Sequence, residues 1–474
     1  MGSISSLLSS LASSSSSSVD LSAILQAATG ASSSGIDVNS AVSAAVTAAQ
    51  APEDLWESEQ STLQSQSTAL SQLQTSATSL DNDVQSLNSL TGPFSATSVS
   101  SSNSSIVTGS AASGTAAGND VVVVNNLATT ASWSSNALAS ETTTLPPETF
   151  VITTASGATA TITTGNGINN LDDLTKAINS ENLGVNASVI NDASGSRLAI
   201  TSNQSGAASN FTVTSSDSSF SLSQAVAGTN ASLTVNGISI QSASNTVTGA
   251  VSGLTLNLLG ASPGTEVSVS VTNNTSQVST AINQFVTDYN TLIGQLNSQF
   301  TFTSGTGQGV LADDPSVRSL QSELLQSLSY VATPASSSTT TSVSNLAALG
   351  VTMNDDGTLS VNSSTLNSAL QNNFSDVQNF FQGSALNGFA NSMDQQLTGF
   401  IAPSSGAFTV DINSNTTEYN SLEDDINNYE TNIITPLRTQ LQASFSQAEI
   451  ALQQLPADVK NVDAELGINN SNNG

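Results

Sequence analysis

From Trp56 onward the apolar residues form a helical stripe. Leu63, Leu70, Leu73, Ala77, Leu80, Val84 and Leu87 follow steps of three and four, with only Gln66 interrupting. Such a stripe needs a partner helix to cover it. Pro52 sits where the first turn of a helix tolerates proline, and Glu53 and Asp54 follow where the helix dipole favours acids. "LTGPF" at 90–94 ends the element.

Over residues 95 to about 275 the pattern turns to that of strands. "NDVVVVNNL" reads as a short buried strand, and "FVITTASGATATITT" as a hairpin about its Ser-Gly turn. One helix interrupts: "NLDDLTKAINS" sets Leu171, Leu174 and Ile178 on one face. A second hairpin, "ASVINDASGSRLAITS", follows it. "ASLTVNGISIQ" turns at Asn236-Gly237, and "LTLNLLG" and "EVSVSVT" complete the run.

The helical period returns at Val278, Ile282, Phe285, Tyr289, Leu292 and Leu296, and again at Val317, Leu320, Leu324 and Leu328. A last long pattern runs Tyr419, Leu422, Ile426, Tyr429, Ile433, Leu437, Leu441, Phe445, Ala448, Leu452, Leu455. Its steps become successive fours after Ile433, with Pro436 among them, which predicts a kink or register shift there.

The expected fold class is therefore α+β and multidomain: a helical, coiled-coil stem formed by both termini, carrying two nested β-rich head domains. The predicted divisions are a disordered Ser-rich leader at 1–34, N-terminal stem helices at 35–94 and a middle β-domain from 95–130 and 228–275. An outer head domain at 131–227 is inserted in that middle domain. A helical domain with a β-hairpin at 276–400 and a C-terminal coiled-coil stem at 401–474 follow.

Composition removes much chemistry. The 474 residues include 35 acids, 5 basic residues, no histidine and no cysteine. That excludes an imidazole base, a thiolate nucleophile and an ordinary structural zinc site. A net charge of −30 repels phosphate backbones and anionic lipid heads, so neither nucleic acid nor membrane is an expected partner. The leader has no basic n-region and only short apolar pieces, which makes it a poor secretory signal and too polar to span a bilayer. A Lys-poor, Ser/Thr/Asn-rich body is consistent with export through a dedicated channel. Acidic surroundings would suit the charge, since protonation relieves self-repulsion.

The loop "LGVTMNDDGTLSVN" at 349–362 poses the sharpest choice between metal chemistry and a turn. Aligning Gly357 with the invariant glycine of an EF-hand puts Thr352 first and Ser363 last, and neither end fits. A hairpin turn accounts for every residue. The acid pairs Asp172-Asp173 and Asp313-Asp314 fall at helix starts or turns, where capping explains them.

Five stretches in order resemble the family of bacterial flagellar filament cap proteins, hook-associated protein 2. They are "SGIDVNSAVSAAVTAAQAP", "AAGNDVVVVNNLATTASWSS", "LTVNGISIQSASNTVTGAVSGLTLNLLG", "VSTAINQFVTDYNTLIGQL" and "ALGVTMNDDGTLSVNSSTLNSALQNNFSDVQNFF". The resemblance runs from about residue 35 to the end. It implies a secreted, non-enzymatic protein without cofactors, exported by the flagellar type III apparatus and assembled at the filament tip. The implied partners are further copies of itself in a ring, a pentamer in the family, together with flagellin, the hook-filament junction protein and an export chaperone.

On this reading Leu70, Leu73, Leu80, Val84 and Leu87 are expected to pair with Leu422, Ile426, Tyr429, Ile433 and Leu437 in stem coils that also serve oligomerisation. The alternative, that these residues pack only within one chain, stays open. So does the choice between interface anchor and local core for Trp56 and Trp133. "NNYETNIITPL" reads either as a recognition segment or as a kinked stem helix. Two other function classes remain. A glycan-active enzyme with paired carboxylates has few aromatics to stack on sugars. A surface adhesin or surface-layer-type protein would not need matched amphipathic coils at both termini.

Overall fold

The computed structural model describes residues 38–216, 220–305, 307–332 and 343–465. The leader expected at 1–34 lies outside these residues, as do the side chains of Leu452 and Lys460.

Helix α1 spans Val38–Ala49 and α2 spans Ala51–Asn88. Pro52, Glu53 and Asp54 occupy the first turn of α2, as its sequence predicts. At 38 residues α2 is about 57 Å long. Its stripe is buried throughout: Leu63, Leu70, Leu73, Ala77, Leu80, Val84 and Leu87 are all inside. Gly92 and Pro93 then turn the chain and deliver Phe94 against Phe374 and Phe381.

The chain next enters the heads. Strands β1 (Thr97–Ser101), β2 (Val107–Ala111) and β3 (Gly118–Asn126) belong to the inner one. The outer head holds β4 (Thr130–Ser135), β5 (Thr149–Thr154), β6 (Thr159–Thr163), helix α3 (Leu171–Ser180), β7 (Val185–Asp192), β8 (Gly195–Ser205), β9 (Phe211–Ser215) and β10 (Leu222–Val226). Then β11 (Ala231–Val235), β12 (Ile238–Ser242), β13 (Thr246–Val251), β14 (Leu254–Leu258) and β15 (Val267–Asn273) return through the inner head. The inner sheets have the orders β1-β15-β3-β11-β12 and β13-β14-β2; the outer ones are β10-β4-β8-β7 and β6-β5-β9. Neighbouring strands run antiparallel.

Local chemistry explains these elements. Asn236 and Gly237 both take positive φ, 52° and 81°, as a two-residue hairpin turn requires, and in the longer loop between β5 and β6 Gly157 alone does so, at 86°. Asn170 caps α3 by accepting from the Asp173 N–H at 2.9 Å, so Leu171, Leu174 and Ile178 roll onto the outer sheet. The outer head has its own core, around Phe150, Leu174, Leu198 and Phe220, and the inner head another, around Val122, Leu233, Leu256 and Val269. The two chain crossings between them lie side by side. Thr129 N–H donates to the Thr229 carbonyl at 3.0 Å, and Asn126 Nδ2 donates to the Asn230 carbonyl at 2.7 Å.

The chain leaves the heads into α4 (Thr275–Phe300), followed by α5 (Pro315–Ser327), strands β16 (Val351–Met353) and β17 (Leu359–Val361), α6 (Ser363–Asn372), α7 (Phe374–Gln382), α8 (Phe389–Ile401) and α9 (Ala407–Tyr429). A π turn over Glu430–Ile434 leads into α10, Thr435–Glu465. The loop at 349–362 is a hairpin, as its turn residues predict. Asp356 accepts from the Thr358 N–H at 3.0 Å, and Gly357 takes φ 82°. Its strands dock on α4 through Asn290, which both donates to and accepts from the Leu359 backbone. Asp314 caps α5 by accepting from the N–H groups of Ser316 and Val317, the helix-start role expected of that acid pair.

The largest core forms where α2 meets α4, α8 and α9. Because this core and the outer-head core share no residues, the chain should unfold in more than one calorimetric transition. Leu80→Ala and Leu198→Ala, both fully buried, should each cost about 2–5 kcal/mol and lower different transitions. A single transition moved equally by both would contradict this division.

Candidate functional site: the helical stem

The candidate surface is built where the N-terminal helices α1 and α2 meet the C-terminal helices α9 and α10. Helices α2 and α9 run antiparallel: Gln74 Nε2 donates to Thr409 Oγ1 at 2.9 Å, and Gln60 Nε2 donates to the Tyr419 carbonyl at 3.1 Å. That register corrects the expected pairing. The segment beyond Tyr419 lies past residue 60, so Leu422, Ile426, Tyr429, Ile433 and Leu437 do not face Leu70, Leu73, Leu80, Val84 and Leu87. The latter five instead pack into one core with Val278–Leu296 and Phe389–Phe400, a cluster that holds none of the former five. Their apolar surface is used up inside the chain.

At the far end of the stem Tyr429 of α9 touches both α1 and α2. Its hydroxyl donates to the Ala49 carbonyl at 3.0 Å, and its ring meets Trp56 edge-on, centroids 5.5 Å apart. Trp56 thus serves an intrachain contact, and Trp133 does likewise, its Nε1 donating to the Phe211 carbonyl at 2.9 Å. Glu53 is buried beside this point, with Oε1 lacking a donor among the described residues; burial, and then Glu430 opposite, raise its pKa. Burial also raises the Tyr429 phenol.

The predicted disturbance near Pro436 takes a definite form. Proline offers no N–H to the carbonyl of Asn432 and its ring crowds that carbonyl, so the preceding turn widens into the π turn. One inserted residue rotates the buried face by about 100°. The residue inside is therefore Ile434, fully buried, whereas the predicted Ile433 is 43% exposed. Ile434 packs with Val42 and Val46, and with Val38, Tyr429, Leu441 and Phe445 around them. Leu422 is buried, while Ile426 and Leu437 are half-buried. Sequence reasoning missed α1 as the cover for α10. Val38, Val42 and Val46 at steps of four were its visible signal.

Beyond Phe445 the exposed apolar residues of α10 include Ile450, Leu455 and Val459, each at least half exposed. Upstream, Leu55 on α2 is 72% exposed. Among the described residues no helix is long and apolar enough to cross a membrane, and no cluster of acids is arranged to hold a metal ion.

The described residues thus combine one stem built from N- and C-terminal helices, two β-heads inserted one in the other, and a last helix with apolar residues exposed beyond its α1 contact. Residues 34–131 match the family model for the N-terminus of flagellar hook-associated protein 2, and residues 228–457 match that for its C-terminus. The chain belongs to the flagellar hook-associated protein 2 family. It is 30% identical over 278 residues to the lateral flagellar hook-associated protein 2 of Vibrio parahaemolyticus, covering 54% of this chain and 60% of that protein. It is 31% identical over 254 residues to the B-type flagellar hook-associated protein 2 of Pseudomonas aeruginosa, covering 47% of this chain and 52% of that protein. The matched region thus spans between half and two thirds of these relatives' length. The crystal structure of the D1-D2-D3 domains of the flagellar cap protein FliD from Escherichia coli superposes with a TM-score of 0.56 at 26% identity, over 73% of this chain and 99% of that one.

The π turn makes a testable distinction between adjacent residues. Ile434→Ala should cost about 2–5 kcal/mol locally and speed amide exchange across Val38–Ala49, whereas Ile433→Ala should stay within about 0.5 kcal/mol. Hydrogen-exchange mass spectrometry reads both. Equal effects would mean that the stem keeps a plain α-helical register.

Proposed function

We propose that this protein is the structural cap at the distal end of a bacterial flagellar filament. There it promotes folding and insertion of flagellin, sustains filament elongation and prevents loss of flagellin monomers. The observation that carries this reading is the joint match of both chain ends to the hook-associated protein 2 family, on a fold whose two ends form one stem. The likeness to the Escherichia coli cap structure over most of the chain supports it as well.

On this proposal the protein is exported and sits at the filament tip as a homo-oligomeric ring, the family expectation being a pentamer. The heads form the plate and the stems reach down toward flagellin and the hook-filament junction protein, after delivery by an export chaperone. Its role is mechanical and its residues carry no reaction. Ile450, Leu455 and Val459 are the stem residues proposed to meet neighbouring subunits or flagellin, because they are apolar, exposed and on the part of α10 beyond its α1 contact. The buried Leu70, Leu73, Leu80, Val84 and Leu87 keep that stem root rigid.

Deleting the gene in its host should abolish filaments in electron micrographs and release unpolymerised flagellin into the medium. A chain with Ile450, Leu455 and Val459 all changed to serine should melt within a few degrees of wild type and yet restore few filaments. Normal filaments without leakage in the deletion strain would instead favour a secreted adhesin.

A further inference from the structure

Carboxylates face one another across the root of the stem, and among the described residues no ion pair joins them to a cation. Asp81 is 6% exposed, although it carries a charge-bearing group and lies within the α2 stripe. Gln85 Nε2 donates to Asp81 Oδ2 at 2.8 Å and to Asp394 Oδ1 of α8 at 2.9 Å. One amide nitrogen therefore holds two acids within two hydrogen-bond lengths of each other. The other Asp81 oxygen, Oδ1, is buried and has no donor among the described residues. Two residues further on, Asp83 points to the opposite flank of the stripe, since two residues turn a helix by about 200°. It faces Asp288 on α4, the helix packed against this side of α2, and Asp288 accepts from Gln284 Nε2 at 3.2 Å. Asp83 Oδ2 is buried and again lacks a donor.

The surroundings supply no compensation. Asp394 is the charged group that acts on Asp81, and Asp288 the one that acts on Asp83, and among the described residues no ion pair reaches either. The described arginines are engaged elsewhere, Arg197 with Asp192, Arg318 with Asp313 and Arg438 with Glu430. Two facing carboxylates cannot both ionise cheaply, but one shared proton turns the pair into a hydrogen bond and gives the orphan oxygen its partner.

We propose that the Asp81–Asp394 and Asp83–Asp288 pairs are acid-closing clasps, each sharing a proton, which fasten α2 to α8 and α4 more tightly in acidic surroundings than at neutral pH. They flank the fully buried Leu80 and Val84, so opening either pair loosens the seam that joins the two halves of the chain. Burial first, and then the facing acid, push both Asp81 and Asp83 up to about 7 from the ordinary carboxylate range. The folded chain then binds more protons than the unfolded chain between about pH 4 and about pH 7, so stability falls as pH rises through that window.

Thermal unfolding of the full chain, followed by circular dichroism at about pH 5 and about pH 7.5, tests this. Wild type should melt several degrees higher at the lower pH. The double variant D81N/D83N, whose amides mimic the protonated acids, should gain several degrees at the higher pH and lose most of the acid response. Adding D394N to D81N should bring little further gain, because one neutral partner already closes the pair. Should D81N/D83N fail to fold, D288N/D394N neutralises the facing partners and carries the same expectation. The exposed-surface variant E59Q/E423Q removes as much charge and should leave the acid response intact. An acid response that persists in the Asn variants, or vanishes equally in E59Q/E423Q, would overturn the proposal.

Discussion

The structure depends on covering the apolar stripe of α2. That helix lies near one end of the chain, and the side chains that bury Leu70, Leu80 and Val84 come from α4 and α8, some 200 to 300 residues later. No local contact can close such a seam, so the entropy of bringing those segments together falls on the excursion between them. The excursion is made compact in advance. Each head carries its own core, and the strands that enter and leave are neighbours: β1 pairs with β15, and the Asn274 N–H donates to the Ala96 carbonyl at 2.9 Å. The outer head is tied off in the same way at Thr129 and Thr229. Two nested insertions thus present α2 and α4 side by side, and the long-range seam becomes almost a local one.

A chain with five cations must hold its elements together by other means than ion pairs. Amides take that role. Asn290 clips the β16–β17 hairpin to α4, Asn245 brackets the backbone of Ala128, Asn236 accepts from Val121, and Gln382 reaches the carbonyls of Leu87 and Ser89. On the solvent face of α2 the hydroxyls of Thr62, Ser65, Thr68, Ser71, Thr75 and Thr78 donate back to carbonyls four residues earlier. These neutral bonds are insensitive to salt and to most pH changes. Carboxylates that face each other across helices therefore stand out as the titrating elements of the packing.

What the amino-acid pattern made legible followed from short-range physics. The α2 stripe was readable because burial repeats every three or four residues, and the hairpins at Asn236-Gly237 and Gly157 because only a few residues accept positive φ. The pairing of Leu70–Leu87 with Leu422–Leu437 failed for the opposite reason. Two heptad-like stripes are both apolar, and nothing in either says which of several helices covers which turn. The register at Gln74–Thr409 is set by where the helices that follow the heads deliver α9, a property of the whole fold. The clasp acids were equally hidden, since Asp81 and Asp83 read as ordinary polar positions until their partners arrive from distant helices.

The π turn connects this packing to the proposed role of the stem. Had α9 and α10 formed one regular helix, the side that packs on α2 and Trp56 would have continued along its length, with Ile433 inside. Pro436 forces one extra residue into the turn, and the buried face rotates onto Ile434 and α1. That change of partner lets a single long helix seal the chain's own core along its first half and then close a second, smaller core against α1. Past Phe445, Leu455 and Val459 stay near the face of the stripe and Ile450 lies on another side, and all three are exposed. Among the described residues nothing covers these side chains, and exposed apolar surface of this kind is where the proposed contacts with further subunits or flagellin would be made.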